Sequence, residues 1–401
     1  MTSELFAALY GRGEAAAQLS DAAWVRAMLD VEAALARACA AEGLVPARSA
    51  DEISAVCAGE PVDITVLRDG IAASATPVIA LVAAVRARVS DQARGHVHLG
   101  ATSQDIVDTA LMLLAKRALA PLLRDATACA AGAAALADRH RDTPMIGRTL
   151  LQQALPTTFG LRAAGWMDGI DAARGHLAQV RDRGLAVQMG GAVGARAPAV
   201  ARRVAAELGL AEPALPWHAV RSRPADLACA LGGLCGVLAK IARDVTLLAQ
   251  QEVGECHEGG GPGRGGSSAM AHKRNPVAAI AVLACCKRVP GLVSTALACM
   301  EQEHERAAGA WQAEWATHAD LLSLTGSATS WARELIEGLE VEGGRMRANL
   351  AASAAGDAGV PDGAGELIDR ALAAHDRLRE GLGRMKPAGA EDRTPTRRGG
   401  S

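Results

Sequence analysis

The feature that most constrains this 401-residue chain is a succession of long stretches with helical periodicity and short connections, which fits a bundle of packed helices and little else. One such stretch runs from about Asp21 to Glu42, with Ser20 as a candidate N-cap, Trp24, Met28, Val31 and Leu35 on one face, and Gly43 as a stop. A second covers about 63–89, after a connection containing Pro and Gly. Others cover about 105–140, 156–183, 222–256, 276–307 and 311–339. Composition agrees: half the residues are apolar, but only nine are aromatic (one Tyr, two Phe, six Trp), and alanine, a strong helix former, dominates. The expectation is an all-α fold with a long-helix bundle at its centre. The organisation expected is an N-terminal helical unit (1–95), a central bundle (96–340), a C-terminal helical region (341–385) and a disordered tail (386–401). Within the C-terminal region, 351–365 reads as a linker and 365–383 as one short helix. No internal repeat is present.

The formal charge of −2 creates no global field that would recruit nucleic acid or an anionic membrane. Nine cysteines form no CxxC pair, which predicts reduced thiols in a cytoplasmic protein. The N-terminus lacks the basic start and apolar run of a signal peptide, and the Ala/Gly-rich tract at 128–137 is too short to span a bilayer. His272, His304 and His318 have no metal-ligand spacing, and no dinucleotide fingerprint is found, so neither a metal nor an organic cofactor is expected.

Two local motifs stand out. Thr102 followed by Asp105 has the spacing of a capping box and places a helix N-terminus there. The segment EGGGPGRGGSSAMAHKRNP, 258–276, begins with glycines too flexible for a helix and ends where Pro276 opens a new one. Such a loop can close over an anion with backbone amides, the hydroxyls of Ser267 and Ser268 and the cation of Lys273.

Three separated segments then carry a resemblance. GSSAM with Lys273 and Asn275 resembles the GSSxMPxKxN signature of the fumarase/aspartase superfamily, with Ala271 where proline is usual. GATSQDIVDTAL (100–111) and GRTLLQQALPTTFGLRAAGW (147–166) resemble that superfamily's first and second active-site segments. Further stretches at 29–38, 262–276, 302–315 and 338–350 are similar to the bacterial 3-carboxy-cis,cis-muconate cycloisomerases.

The resemblance implies that Ser267 is the acid/base acting at the carbon α to a carboxylate, with Lys273 and the loop amides stabilising charge. It assigns substrate binding to His98, Thr102, Ser103, Arg148, Gln152, Ser268, Met270, Asn275 and Arg306. Members that expel an amine carry an Arg-Thr-His run, whereas this chain reads Arg148, Thr149, Leu150. An amine leaves poorly without a general acid, so the leucine favours a carboxylate as nucleophile or leaving group. The implied reaction is lactonisation of 3-carboxy-cis,cis-muconate to 4-carboxymuconolactone, in protocatechuate breakdown. The implied partners are this tricarboxylate substrate and three further copies of the chain in a homotetramer with shared sites, without nucleic acid or membrane. The superfamily's longer C-terminal domain is largely missing, and AGELIDRALAAHDRL (364–378) resembles its last helix. An adenylosuccinate- or argininosuccinate-type lyase and a non-catalytic structural member of the fold remain as alternatives.

Overall fold

The computed structural model describes residues 4–196, 198–259, 264–266, 270 and 273–384. Helices α1 (Glu4–Tyr10), α2 (Glu14–Ala17), α3 (Asp21–Ala41), α4 (Ala47–Ala58), α5 (Ile64–Ser74), α6 (Val78–Arg86) and α7 (Asp91–Arg94) precede the bundle. The bundle itself comprises α8 (Ser103–Arg139), α9 (Phe159–Gln179), α11 (Ser222–Leu248), α12 (Val277–Ala298) and α13 (Ala310–Glu337), with α10 (Pro198–Leu208) in the connection before α11. Helices α14 (Gly343–Ala351) and α15 (Gly363–Arg384) follow. The all-α expectation holds, and the only named strands among the described residues form two small antiparallel pairs, β1 (Pro144–Thr149) with β2 (Gln152–Thr158), and β3 (Cys256–Glu258) with β4 (Leu339–Val341).

Cross-helix contacts fix the direction of each bundle helix. Asp108, Asp125 and Cys129 of α8 meet Trp311, Arg333 and Thr329 of α13, so these two helices run parallel. Helix α11 runs the same way, with Arg221 just before it meeting Glu314 and Cys235 meeting Thr325. Helix α9 runs opposite: its start bonds back to the end of α8 (Gly160 N–H to the His140 carbonyl, 2.9 Å), and Trp166 donates to Asp244 near the end of α11 (2.7 Å). The order is up-down-up-down-up, with connections of 11 to 42 residues between successive bundle helices. At Gly132 and Gly232 the backbones approach so closely that a Cβ would lie 2.9 Å from Ile336 and from Val293, which excludes larger residues there.

Several expected boundaries shift. Ser20 does cap α3, accepting from the Ala23 amide at 3.2 Å. The single helix expected over 63–89 is instead α5 and α6, broken where Ala75 turns left-handed ahead of Thr76 and Pro77, because proline disfavours a helical residue before it. The connection before it contains α4. The start of the 156–183 stretch belongs to strand β2, and its end closes as a π-turn over Val180–Gly184. The tail expected over 386–401 lies outside the described residues. Helix α15 docks on α9 through buried Asp171, which accepts from Arg174 (2.7 Å) and pairs with His375 (2.8 Å).

One buried ionic cluster joins α8, α11 and α13. The Arg221 guanidinium lies between Asp108 (Nη1 to Oδ2, 2.7 Å) and Glu314 (Nε to Oε1, 3.0 Å), and Trp311 donates to Asp108 at 3.0 Å. Burial opposes the arginine's charge, but the two carboxylates outweigh it and raise its pKa. Burial raises the Glu314 pKa against the pull of Arg221, as expected where two carboxylates share one cation. Arg221→Met leaves both carboxylates buried without a cation and should destabilise the fold by about 3–5 kcal/mol, measured by urea unfolding.

His318 lies against this cluster, fully buried, with neither ring nitrogen hydrogen-bonded among the described residues. Burial, then the field of Arg221, lowers its pKa to about 4. Between that value and the ordinary 6.5 the unfolded chain binds a proton that the folded chain refuses, so stability falls as pH drops through this window. The loss is on the order of 3 kcal/mol when complete. His318→Leu should flatten the pH dependence of the melting temperature between pH 6.5 and 4.

Candidate active site

The first group of predicted residues collects where α8 begins. Thr102 is extended and Ser103 opens the helix, and the Asp105 carboxylate accepts from the Thr102 amide at 3.0 Å, the predicted capping contact. This places the half-buried Thr102 and Ser103 at a helix N-terminus, where the helix dipole favours an anion. His98 precedes them with a left-handed backbone (φ 62°), and its Nδ1 lies 2.6 Å from Oε1 of the fully buried Glu32. Arg306, on the loop between α12 and α13, donates to the Gly191 carbonyl at 2.6 Å. Burial lowers its pKa, with the nearby Asp105 and Asp108 opposing the shift. The structure therefore brings His98, Thr102, Ser103 and Arg306 to one end of the bundle.

The second group sits on the β1–β2 hairpin at the other end, beyond the end of α8. Arg148, expected to hold substrate, instead commits both terminal nitrogens to Glu255 (2.9 and 2.8 Å), and Asn349 donates to the same carboxylate at 2.8 Å. A fully buried Glu255 requires such partners, so Arg148 ties down the hairpin just below its tip. Gln152 is exposed beside the two-residue tip, Leu150 and Leu151. Both leucines hold positive φ (51° and 65°), and they are 96% and 74% exposed. That combination is costly twice over, since tight hairpin turns of this hand favour Asn-Gly and apolar side chains favour burial.

The third group occupies the same end, where α12 begins. Met270, Lys273 and Asn275 line a cavity of about 1050 Å³ together with His257, Glu258, Arg264 and Arg274. The Asn275 amide and side chain both donate to the Gly265 carbonyl (2.8 and 3.1 Å). The first amides of α12 do not await a ligand: Glu258 accepts from Ala278 and Ala279 (3.0 and 2.8 Å). These two helix amides already hold a carboxylate supplied by the chain itself. Ser267 and Ser268 lie outside the described residues, as do Ala271 and His272.

The first group is thus separated from the second by the length of α8, whose 37 residues span about 55 Å, and from the third by the length of α12, whose 22 residues span about 33 Å. No small tricarboxylate bridges either distance within one chain. Sequence reasoning missed Glu32, Glu255 and His218, whose Nε2 lies 2.7 Å from the Asp105 carboxylate. Glu32 carried a usable signal, because it falls on the apolar face of Met28 and Leu35, where an unpaired acid is out of place.

Comparison with known proteins agrees with this architecture. A family model described as a lyase matches residues 5–291. The chain is 45% identical over 357 residues to a 3-carboxy-cis,cis-muconate cycloisomerase of Pseudomonas aeruginosa, covering 87% of this chain and 78% of that one. It is 42% identical over 351 residues to a nitrosuccinate lyase of Streptomyces davaonensis, covering 83% and 74%. The crystal structure of the 3-carboxy-cis,cis-muconate lactonizing enzyme from Pseudomonas putida superposes with a TM-score of 0.86 at 35% identity, over 94% of this chain and all of that one.

The hairpin tip yields a direct test. Leu150→Asn with Leu151→Gly should raise the stability of the chain by about 1–2 kcal/mol or more through relief of left-handed strain, measured by chemical denaturation. If the tip is retained for its part in the site, the same double variant loses activity. With these motifs, this fold and these relatives, the chain belongs to the lyase family of the fumarase/aspartase superfamily.

Proposed function

We propose that this protein is a 3-carboxy-cis,cis-muconate cycloisomerase, forming 4-carboxymuconolactone in the breakdown of protocatechuate. The observation that carries the reading is the 45% identity to a cycloisomerase across most of both chains. In the reaction, a carboxylate oxygen of the substrate bonds to a carbon of its own conjugated diene. The displaced π electrons move onto a second carboxylate as an aci-carboxylate, and Ser267 gives its proton to the carbon α to it. Ser267 then regains a proton from water. Lys273 supplies positive charge to the intermediate, and Ser268, Met270, Asn275 and Gln152 complete that side of the pocket. His98, Thr102, Ser103 and Arg306 hold the remaining carboxylates. Because nucleophile and electrophile share one molecule, folding the substrate into the reactive conformer supplies much of the rate.

The separation of these groups by the length of the bundle supports a homotetramer in which copies of the chain complete one another's sites. Helices α11 and α12 fit this arrangement: both are long and apolar enough to cross a bilayer, yet only 50% and 39% of their most apolar windows is buried. A groove of about 490 Å³ between them is lined by Gly232, Gly236, Ala239, Leu283 and Val293. Apolar faces of this kind call for other helices, and sister copies meet that need. A stable, active monomer in sedimentation would contradict this arrangement.

The similarity to a nitrosuccinate lyase supports a second reading, elimination of nitrite, another group that departs as an anion without an acid. Ultraviolet absorbance separates the two. Purified protein should bleach the conjugated diene of 3-carboxy-cis,cis-muconate and release no nitrite from nitrosuccinate. Ser267→Ala should lower the bleaching rate by a factor on the order of 10²–10⁴. Activity unchanged by that substitution would contradict the role of Ser267.

A further inference from the structure

Asp105 makes more contacts than a helix cap requires. Its Oδ2 accepts from the Thr102 amide (3.0 Å) and the Gly191 amide (2.8 Å), and its Oδ1 accepts from the Gly190 amide (2.9 Å) and pairs with His218 Nε2 (2.7 Å). The residue is fully buried. A carboxylate that spends both oxygens on three backbone amides and an imidazole, far from solvent, fixes the relative position of everything it touches. What it touches is the junction of two loops. One is 98–102, which carries His98 and Thr102. The other is 188–196, whose Gly191 carbonyl receives the Arg306 guanidinium (2.6 Å).

The two loops are in direct contact as well. Gly191 has φ 70°, and a Cβ there would lie 2.8 Å from the Gly100 carbonyl oxygen. Arg196 crosses the same seam, donating to the Leu99 carbonyl at 2.5 Å. Without Asp105, the Gly190 and Gly191 amides lose their acceptor, and the carbonyl that seats Arg306 loses its fixed orientation.

We propose that Asp105 is a positioning residue for the carboxylate-binding end of the site, setting Arg306 against Thr102 and Ser103 through the amides of Gly190 and Gly191. The inference rests on the functional reading above for the identity of the ligand, and not for the geometry. Asp105 does not touch substrate. Its effect runs through Gly191 to Arg306, which makes the two residues energetically coupled.

The test is a double-mutant cycle on the full-length protein with 3-carboxy-cis,cis-muconate. Asp105→Asn keeps the size of the side chain but places a donor or a weaker acceptor against the amides. It should raise KM tenfold or more while lowering kcat by a smaller factor. Combined with Arg306→Gln, it should raise KM by clearly less than the product of the two single effects. A merely structural Asp105 would lower the melting temperature and the active fraction, leave KM unchanged and multiply with Arg306→Gln; either an unchanged KM or multiplicative effects overturns the proposal.

Gly191→Ala covers the case in which Asp105→Asn does not fold, because its added methyl displaces the same carbonyl, and it should give the same rise in KM. If wild type does not turn over the muconate, the functional reading fails separately. Calorimetric binding of tricarballylate, a saturated tricarboxylate, then decides: tenfold weaker binding by Asp105→Asn or Gly191→Ala supports the positioning role, and equal binding, or none by wild type, overturns it.

Discussion

Arg221 sits where α8, α11 and α13 meet, and the parallel run of those helices depends on it. Two carboxylates from different helices, Asp108 and Glu314, converge on one guanidinium out of reach of water. Such a contact contributes little net attraction after desolvation, but misplacing any of the three helices strands a buried charge. The register of the bundle is therefore set at one end. From there α8 extends about 55 Å to the hairpin and α12 about 33 Å back to Asn275, so the places where chemistry-bearing loops emerge are fixed by the lengths of the helices.

That geometry accounts for the distribution of the site. The connections at the Arg221 end carry His98, Thr102, Ser103 and Arg306, and those at the far end carry Lys273, Asn275 and Gln152. An up-down bundle cannot fold these ends together, which is why we propose a site shared between copies of the chain. The exposed apolar faces of α11 and α12 and the strained Leu150–Leu151 tip are each unfavourable in water, which supports that proposal.

Most of the bundle was legible in the sequence because it rests on local signals: the apolar period of Trp24 to Leu35, the cap at Ser20, and the capping pair at Thr102 and Asp105. The misses have equally local causes. The β1–β2 hairpin was absorbed into a helix or a loop because its tip carries leucines where Asn-Gly would announce a turn. The break between α5 and α6 was hidden by continuous apolar residues on either side of Pro77. Roles that depend on distant partners were invisible: Arg148 looks like a substrate donor until Glu255 is placed 107 residues away. Glu258 reads as part of a glycine loop until it is seen capping α12.

If one active site draws on opposite ends of different copies of the chain, as we propose, mixing inactive variants reveals it. Arg306→Ala damages the carboxylate-binding end, and Ser267→Ala removes the proposed acid. Co-refolding the two should restore muconate bleaching, because some hybrid sites then receive Arg306 from one chain and Ser267 from another. If hybrids of confirmed mixed composition stay as inactive as either parent, the site does not draw its two ends from different chains and the account is wrong.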